Sequence, residues 1–371
     1  MNTPMTSIER LRRAMRFEPV DRPPILPYCD QFAMKQAGYT YREATYDPDK
    51  WAEGYARVRD RFGFDCVYDQ GSAEGNADLA LPKNAYQPED DMLYYPMPYF
   101  IQTPEDIKRV KPPDDPWADP KMLRLLKTLQ KLRENVGPDI PVISTVTCPY
   151  RICGVLRGFD VLAMDLVDRP EWVHELMNTI TEGAIRLGRA VVEAGANFIF
   201  TVDPTASASF ISKSAFMQFA YPYEKRMFEG IRAAGAEGIF FHFCGDTNDR
   251  LDVVADDVEF LVQDLGDLKE SYRKIGDKVL LGANIPITNV LLKGSPEEVE
   301  RCCIEAILKT EGRFFQSASC HIPRHTPPEN FSVWVKAATD YAKYPIDFDN
   351  LQKRLDQLPR LGCDESLRGF S

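Results

Sequence analysis

The chain reads Asn197-Phe198-Ile199-Phe200-Thr201-Val202, continues with helical periodicity over residues 212–234, and then reads Gly238-Ile239-Phe240-Phe241-His242-Phe243. Both short runs are apolar and rich in β-branched and aromatic residues, which is typical of strands buried on both faces. A strand, a helix and a second strand in this order predict two parallel strands joined by a crossover helix.

The same order repeats along the chain. Stretches with helical periodicity separate the apolar runs, most clearly over residues 171–194, 212–234, 296–308 and 329–341. Runs of the strand type occur eight times, over residues 24–28, 64–68, 141–147, 197–202, 238–243, 258–263, 278–283 and 313–316. Eight is the number that a closed parallel barrel needs. We therefore predict an α/β fold, a (β/α)8 TIM-type barrel with an N-terminal extension and elaborated loops, forming one domain over residues 1–371.

Two segments depart from the repeat and together predict an inserted region at about residues 71–136. Residues 71–102 are rich in Asp, Pro, Asn and Tyr, which favours a loop or hairpin after the second strand. Loops in that position build the mouth of a barrel. Residues 103–136 predict one or two extra helices, broken by the proline-rich run at 111–116. The polar tail after Tyr344 is expected to wrap the surface.

Composition limits the classes of partner. The 45 Lys and Arg against 56 Asp and Glu give a formal charge of −11, which disfavours a nucleic-acid or anionic-membrane binder. No window approaches about 18 consecutive apolar residues, so no membrane span is expected. The Arg-rich start lacks the apolar run of a signal peptide. Nine cysteines without paired spacing predict reduced thiols, with Cys302 and Cys303 packing inside a helix, and a cytoplasmic protein.

Metal-ligand chemistry is concentrated at two strand ends. His242 and Cys244 lie two residues apart, so strand geometry points both side chains to the same face. Zn²⁺ accepts imidazole nitrogen and thiolate sulfur, and Cys320 follows the eighth strand as a third ligand, which leaves a position open for substrate. The alternative is a histidine and cysteines at strand ends without metal. Because Cys320 and His321 are adjacent, only one of the two is expected to face the pocket. His325 is expected to serve its loop or to support a ligand.

Several stretches resemble the uroporphyrinogen decarboxylase superfamily, and within it the zinc-dependent, corrinoid-linked methyltransferases. They are residues 17–24, 203–207, 216–223, 242–247, 319–323 and 326–330. The resemblance implies a (β/α)8 barrel with zinc held by a His-x-Cys pair and a distant cysteine in a Cys-x-x-Pro setting, here His242, Cys244 and Cys320. It also implies a cobalamin that arrives on a separate corrinoid protein docked over the barrel mouth.

The decarboxylase of the superfamily matches less well. It binds its polycarboxylate substrate with arginines in a Met-Arg-Gln-Ala-Gly-Arg motif, whereas this chain reads Met34-Lys35-Gln36-Ala37-Gly38-Tyr39. A lysine lacks the bidentate fork with which arginine holds a carboxylate. Asp69 resembles the decarboxylase's catalytic aspartate in placement, although aspartates at strand ends are common loop residues.

Further residues are expected at the mouth. Asp203 ends the fourth strand and resembles a family position at the mouth. The resemblance implies a catalytic residue, as a metal-site, proton-handling or substrate-positioning carboxylate, and the alternative is a cap before the helix at Ser212. Asp69 and Tyr28 are predicted to bind substrate. Three other residues at strand ends receive no role: Cys29, Cys148 and Asn284.

The expected reaction is methyl transfer from an O-methylated small molecule, for example an aryl methyl ether, to the cob(I)alamin of a corrinoid protein. Zinc would act as a Lewis acid on the departing oxygen. The preference rests on aromatic residues in the predicted loops: Tyr28, Phe32, Tyr94, Tyr95, Tyr99, Phe100 and Phe210. The alternatives are a methylcorrinoid:thiol methyltransferase of the coenzyme M type, a uroporphyrinogen-type decarboxylase, and a binding scaffold with structural zinc.

Overall fold

Parallel strands in chain order form the centre of the molecule. The computed structural model describes residues 5–69 and 98–359. Its one sheet has the order β1 (Val67–Tyr68), β2 (Val142–Thr145), β3 (Phe198–Val202), β4 (Gly238–Asp246), β5 (Phe260–Leu265) and β6 (Leu280–Leu281). Every strand pairs in parallel with the next one in the chain. This is expected when each connection brings the chain back to the end of the sheet at which the preceding strand began.

Two short extended segments, around Ile25 and around residues 315–316, connect the first and last strands of this sheet. They are joined by single backbone hydrogen bonds, from Phe315 N–H to Leu281 O (3.0 Å), from Gln316 N–H to Pro24 O (2.7 Å) and from Asp65 N–H to Ile25 O (2.9 Å). With these bonds, all eight predicted strand segments lie side by side around a ring. The (β/α)8 barrel prediction is confirmed.

Helices surround the strands. They are α1 (Ser7–Ala14), α2 (Asp30–Ala37), α3 (Tyr41–Tyr46), α4 (Pro48–Phe62), α5 (Pro120–Val136), α6 (Pro149–Arg157), α7 (Phe159–Asp168), α8 (Pro170–Glu193), α9 (Lys213–Ala215), α10 (Tyr221–Ala233), α11 (Leu251–Val254), α12 (Leu268–Ile275), α13 (Pro296–Lys309), α14 (Pro328–Asp340) and α15 (Phe348–Gln357). Within the described ranges, none of them has the length and apolar character needed to cross a bilayer.

The insertion agrees with the prediction where it is described. A 3₁₀ helix (Pro104–Arg109) and α5 occupy residues 103–136, and the proline-rich run at 111–116 separates them. Asp119 caps α5 by accepting hydrogen bonds from the backbone N–H groups of Lys121 and Met122. Most of the predicted loop after β1 lies outside the described residues. The polar tail predicted after Tyr344 is partly helical, since it contains α15.

The helix predicted over residues 212–234 is interrupted. A π-helical turn (Phe216–Ala220) separates α9 from α10, and a second one (Ile287–Leu292) precedes α13. Pro222 lies in the first turn of α10. Because proline has no N–H to donate to the residue four positions earlier, regular helical bonding cannot run unbroken through this point.

The stretch at residues 17–24 has a structural role. Arg22 Nη1 donates to Asp65 Oδ2 at 2.6 Å, and the backbone N–H of Ile25 donates to the same oxygen at 2.8 Å. Arg10 and Ser7 of α1 donate to Asp65 Oδ1, each at 2.8 Å. Asp65 is almost fully buried, so these bonds are needed to compensate its lost hydration. They attach the N-terminal helix where the first two strand segments meet.

Most cysteines agree with the expectation of reduced thiols. Seven of those in the described residues are free, including Cys303, which is buried in α13. Cys302 is an exception because it is disulfide-bonded. Cys302 is buried in α13, as expected of a packing residue, but the expectation of a reduced thiol is wrong at this position.

Candidate metal centre

The C-terminal end of β4 carries two of the predicted ligands. His242 lies opposite Val202 of β3 on one side and Val262 of β5 on the other. The pairing with β5 then shifts register between Phe243 and Asp246, where Gly245 has a φ of +75°. Glycine adopts this left-handed backbone without steric cost, so the strand can bend directly after Cys244.

The third predicted ligand meets the first two. Cys320 follows the segment that closes the barrel, and its Sγ lies 3.7 Å from Cys244 Sγ. His242 Nε2 lies 3.0 Å from Cys244 Sγ, and the three ligand atoms all lie within 4.8 Å of one another. Two sulfurs bound to a tetrahedral zinc at about 2.3 Å would lie about 3.8 Å apart. The donor atoms and their spacing therefore fit zinc.

The histidine ring has a defined orientation. His242 Nδ1 lies 3.3 Å from the backbone oxygen of Val262, which can only accept a hydrogen bond. Nδ1 therefore carries the proton of the neutral ring, and the lone pair of Nε2 faces the sulfur atoms. A backbone carbonyl that fixes the tautomer in this way is common around metal-ligating histidines. His242 is buried, whereas Cys244 and Cys320 are partly exposed.

The electrostatics favour a thiolate at Cys320. A hydrogen bond from the Cys244 thiol holds the pKa of Cys320 well below its usual range, against the opposing effect of burial. The same bond, together with burial, raises the pKa of Cys244. Burial lowers the pKa of His242, but the charge and hydrogen bond of Cys320, together with Asp264 and the Val262 carbonyl, outweigh burial, and the pKa of His242 is raised.

A carboxylate that the sequence analysis missed lies beside this cluster. Asp264, in β5, accepts a hydrogen bond at 3.3 Å from the backbone N–H of Gly245. Burial raises the pKa of Asp264, and the nearby Cys320 thiolate raises it further. Asp264 could therefore supply an oxygen ligand to a cation held by the cluster. Its signal in the sequence was a carboxylate directly after the apolar run at 258–263.

An aromatic chamber lies next to the cluster. Its walls include Tyr28, Tyr68 and Phe200, and His242 and Cys320 also line it. The Tyr28 ring lies 4.7 Å from the Phe200 ring and 5.7 Å from the Tyr68 ring, between centroids. Tyr28 therefore lies beside the cluster, and its predicted role in substrate binding stays a prediction.

The other predicted loop aromatics do not line this chamber as a group. Phe32 is buried and stacks on Phe331, with 4.4 Å between ring centroids. Phe210 is exposed. Tyr94 and Tyr95 lie outside the described residues.

Asp69 is held between two strand ends. It is buried, and it accepts hydrogen bonds from the Ser144 hydroxyl and, at 3.4 Å, from the backbone N–H of Thr145. These contacts connect the end of β1 to β2. They account for an aspartate at this position structurally, and its predicted role in substrate binding stays a prediction.

Asp203 belongs to a second buried cluster. Its Oδ1 accepts hydrogen bonds from the Thr205 hydroxyl (2.8 Å) and the Ala206 backbone N–H (2.9 Å). One ligand atom from each of Cys148, Asp203 and Glu224 lies within 4.8 Å of the other two. Burial raises the pKa values of both carboxyls, and Asp203 raises that of Glu224 further. The sequence analysis missed Glu224, which lies inside a helical stretch.

The remaining candidates have other contacts. His321 Nε2 contacts the carboxylate of Asp30, so the residue after Cys320 is directed to α2. His325 Nδ1 lies 2.8 Å from Lys35 Nζ, in the stretch where the decarboxylase motif has arginine. Cys29 Sγ lies 3.6 Å from the Tyr55 hydroxyl.

Comparison with known proteins agrees with the fold and the resemblance. A methyltransferase from Methanosarcina mazei has the same fold, with a TM-score of 0.75 and 24% identity over 91% of this chain and 99% of that one. A methylcobamide:CoM methyltransferase MtbA of Methanosarcina mazei is 26% identical over 91% of this chain and 99% of its own. A methylcobamide:CoM methyltransferase MtaA of Methanosarcina barkeri is 26% identical over 90% of this chain and 97% of its own.

Decarboxylases are also among the relatives. A uroporphyrinogen decarboxylase of Prochlorococcus marinus is 24% identical over 89% of this chain and 96% of its own. The family model described as uroporphyrinogen decarboxylase (URO-D) matches residues 6–341. A match of this extent covers the barrel from α1 to the end of α14, including both buried clusters. The chain therefore belongs to the uroporphyrinogen decarboxylase family.

Proposed function

We propose that the protein is a zinc-dependent methyltransferase that moves a methyl group between a corrinoid carried by a separate protein and a small thiol. The observation that carries the proposal is the meeting of His242, Cys244 and Cys320 at the barrel mouth, with two sulfurs 3.7 Å apart. The names of the Methanosarcina relatives support the thiol as methyl acceptor.

The chain's own residues prepare the site in three ways. The Val262 carbonyl fixes the His242 tautomer, Cys320 is held as a thiolate, and the partial exposure of both cysteines gives access from the mouth. A zinc ion held there would supply a Lewis acid that lowers the pKa of a substrate thiol or phenol. The aromatic side chains beside the cluster give this side of the site an apolar wall.

Demethylation of an O-methylated compound, the reaction that the sequence analysis favoured, is the second candidate. The specific observation in its favour is the aromatic wall of Tyr28, Tyr68 and Phe200 beside the cluster. The cavity behind these rings, about 10 Å³, has room for about one water molecule, so an aryl group would contact the wall from the open mouth. The relatives support the thiol reaction better, so we place it first.

The first experiment compares the two reactions on one zinc-loaded preparation. Absorbance spectra would follow methylcobalamin with 2-mercaptoethanesulfonate and other small thiols, and cob(I)alamin with a panel of methoxy-aromatics. We expect demethylation of methylcobalamin by at least one thiol. Reaction only in the methoxy-aromatic arm would reverse the order of the two candidates, and reaction in neither arm would contradict both.

Variants connect the activity to the cluster. We expect His242→Ala and Cys320→Ser to lose about one zinc per chain and nearly all activity, because each removes one of three ligands. Cys303→Ser is the matched control, since Cys303 is a buried thiol of α13. Full zinc and activity in Cys320→Ser would remove Cys320 from the ligand set.

A further inference from the structure

The cluster of Cys148, Asp203 and Glu224 shares no residue with the proposed methyl-transfer centre, and the backbone N–H of Asp203 donates to the backbone oxygen of His242 at 3.1 Å. Cys148 precedes α6, Asp203 follows β3, and Glu224 lies in the first turn of α10. Three separate elements therefore direct one thiol and two carboxyls to a common point, with one ligand atom of each within 4.8 Å of the others. All three residues are fully buried.

Several oxygen atoms at this point have no hydrogen-bond donor. Among the described residues, Asp203 Oδ2 and both carboxyl oxygens of Glu224 receive no N–H or O–H bond, although Asp203 Oδ1 receives three. Buried carboxylates without partners carry a large desolvation cost. The two carboxyls can hydrogen-bond to each other only if they share a proton, and a cation between them would satisfy the same atoms.

The donor set suits a divalent transition metal. One thiolate sulfur and two carboxylate oxygens are ligands that zinc accepts, and atoms around a tetrahedral zinc lie about 3.5 Å apart. The observed spacing needs side-chain adjustments of only about 1 Å to reach that geometry. The cation would replace the Cys148 thiol proton and the proton shared by the carboxyls, so the charge of the buried site would not change.

Nearby guanidinium groups balance the remaining negative charge. Arg151 acts electrostatically on both Cys148 and Asp203, and Arg250 acts on Glu224. Arg250 is fully buried and also pairs with the Asp249 carboxylate, at 2.8 and 3.1 Å, so only part of its charge acts on Glu224. A divalent cation with three anionic ligands has one net negative charge, which these neighbours together can offset.

From this geometry we propose that Cys148, Asp203 and Glu224 form a second metal site, which takes a divalent transition-metal ion such as zinc. Its ligands are different from those of the His242 cluster, so each of the two sites can be removed by substitution without removing a ligand of the other. Its position between the ends of β2 and β3 and helix α10 gives the ion a structural role behind the barrel mouth.

Metal stoichiometry tests the site. Proteins loaded with zinc, freed of excess metal and analysed by mass spectrometry should contain about two ions per chain in the wild type. We expect about one in His242→Ala, about one in Glu224→Gln and almost none in the double variant. Cys153→Ser is the matched control for Cys148→Ser, since Cys153 is also a fully buried thiol of the α6 region but has Met177 Sδ as its partner, at 3.3 Å.

A spectroscopic readout guards against variants that fold poorly. With Co²⁺ in the His242→Ala background, the Cys148 thiolate should give a near-ultraviolet sulfur-to-cobalt band that Cys148→Ser removes and Cys153→Ser keeps. A wild type with about one ion per chain, fully lost in His242→Ala and unaffected by Glu224→Gln, would overturn the proposal and assign the carboxyls to a shared-proton pair. Absence of the cobalt band in folded His242→Ala protein would overturn it as well.

Discussion

His242 uses its two ring nitrogens for different purposes. Nδ1 contacts the Val262 carbonyl, and Nε2 faces the sulfur of Cys244. Strand alternation predicted that His242 and Cys244 share a face, and the structure places them in contact. The acceptor on β5 could not be predicted, because it depends on the register between two strands that are separated by α11.

Tyr28 gives a prediction at the residue scale. Its ring contributes a wall of the chamber beside His242 and Cys320. Replacing Tyr28 by alanine should raise KM for the small substrate about tenfold, since an aromatic contact of this kind contributes on the order of 1 kcal/mol. Tyr28→Phe should stay close to the wild type because it keeps the ring.

The measurement is the KM and kcat of both variants at equal zinc content. An unchanged KM in Tyr28→Ala would remove this residue from the substrate pocket. A loss in Tyr28→Phe as large as in Tyr28→Ala would instead assign the effect to the phenolic hydroxyl.

The positions of two carboxyl groups, those of Glu224 and Asp264, could not be predicted from the residues around them in the sequence. Glu224 lies in a helical stretch with charged neighbours, where a solvated face is the ordinary expectation, yet it is fully buried. Its burial accompanies the packing of α10 against α6 and α8, which no local pattern encodes. Asp264 directly follows a correctly predicted run, but its proximity to Cys320 depends on closure of the whole ring.

At the scale of elements, the apolar runs predicted the positions of all eight strand segments. They did not predict how many residues of each segment pair with its neighbours. The runs at 24–28 and 313–316 carry only isolated bridges, whereas the run at 238–243 extends to Asp246. The extension follows from pairing with β5 beyond the apolar residues. The helix at 212–234 was predicted as continuous, and Pro222 explains why it is not.

The contact between α13 and α15 gives a prediction about pH. Glu300 of α13 accepts two hydrogen bonds from Arg354 of α15, at 2.6 and 2.7 Å. These bonds lower the pKa of Glu300 against the opposing effect of burial. Glu300→Gln should therefore reduce the free energy of unfolding at pH 7 by at most about 1 kcal/mol, because Arg354 is partly exposed and screened by solvent.

The sign of the pH dependence follows from the lowered pKa. The carboxylate stabilises the fold above its unfolded-state pKa of about 4.3, and this stabilisation is lost as the pH falls through the lower folded-state pKa. Urea unfolding of wild type and variant should thus converge at acidic pH. Glu297→Gln, at an exposed position of the same helix, is the control. If the difference in free energy of unfolding between wild type and Glu300→Gln stayed the same at acidic pH, the ion pair between Glu300 and Arg354 would not be its cause.

At the scale of the whole molecule, the barrel presents both buried clusters near the C-terminal ends of its strands. Phe210 lies in the connection after β3 on this side, and its side chain is 58% exposed. An exposed aromatic residue at the mouth suits a docking surface for a corrinoid protein. Phe210→Asp should lower kcat/KM for the protein-bound methylcorrinoid about tenfold and leave the reaction of free methylcobalamin unchanged.

Phe348→Asp is the control for this prediction, because Phe348 is a comparably exposed aromatic residue on α15. Initial rates with both methyl donors would be measured for the two variants. Equal losses with free and protein-bound donor would show that Phe210 affects the site itself and not docking.

The closure of the barrel through residues 315–316 has a consequence for biosynthesis. Cys320 lies only a few residues after this segment, whereas His242 and Cys244 are translated much earlier. A ribosome-bound chain that ends before the closing segment lacks both the last strand contact and the third sulfur. For the proposed zinc centre, metal binding by all three ligands would therefore be a late event, and the metal held by His242, Cys244 and Cys320 would distinguish complete barrels from truncated ones.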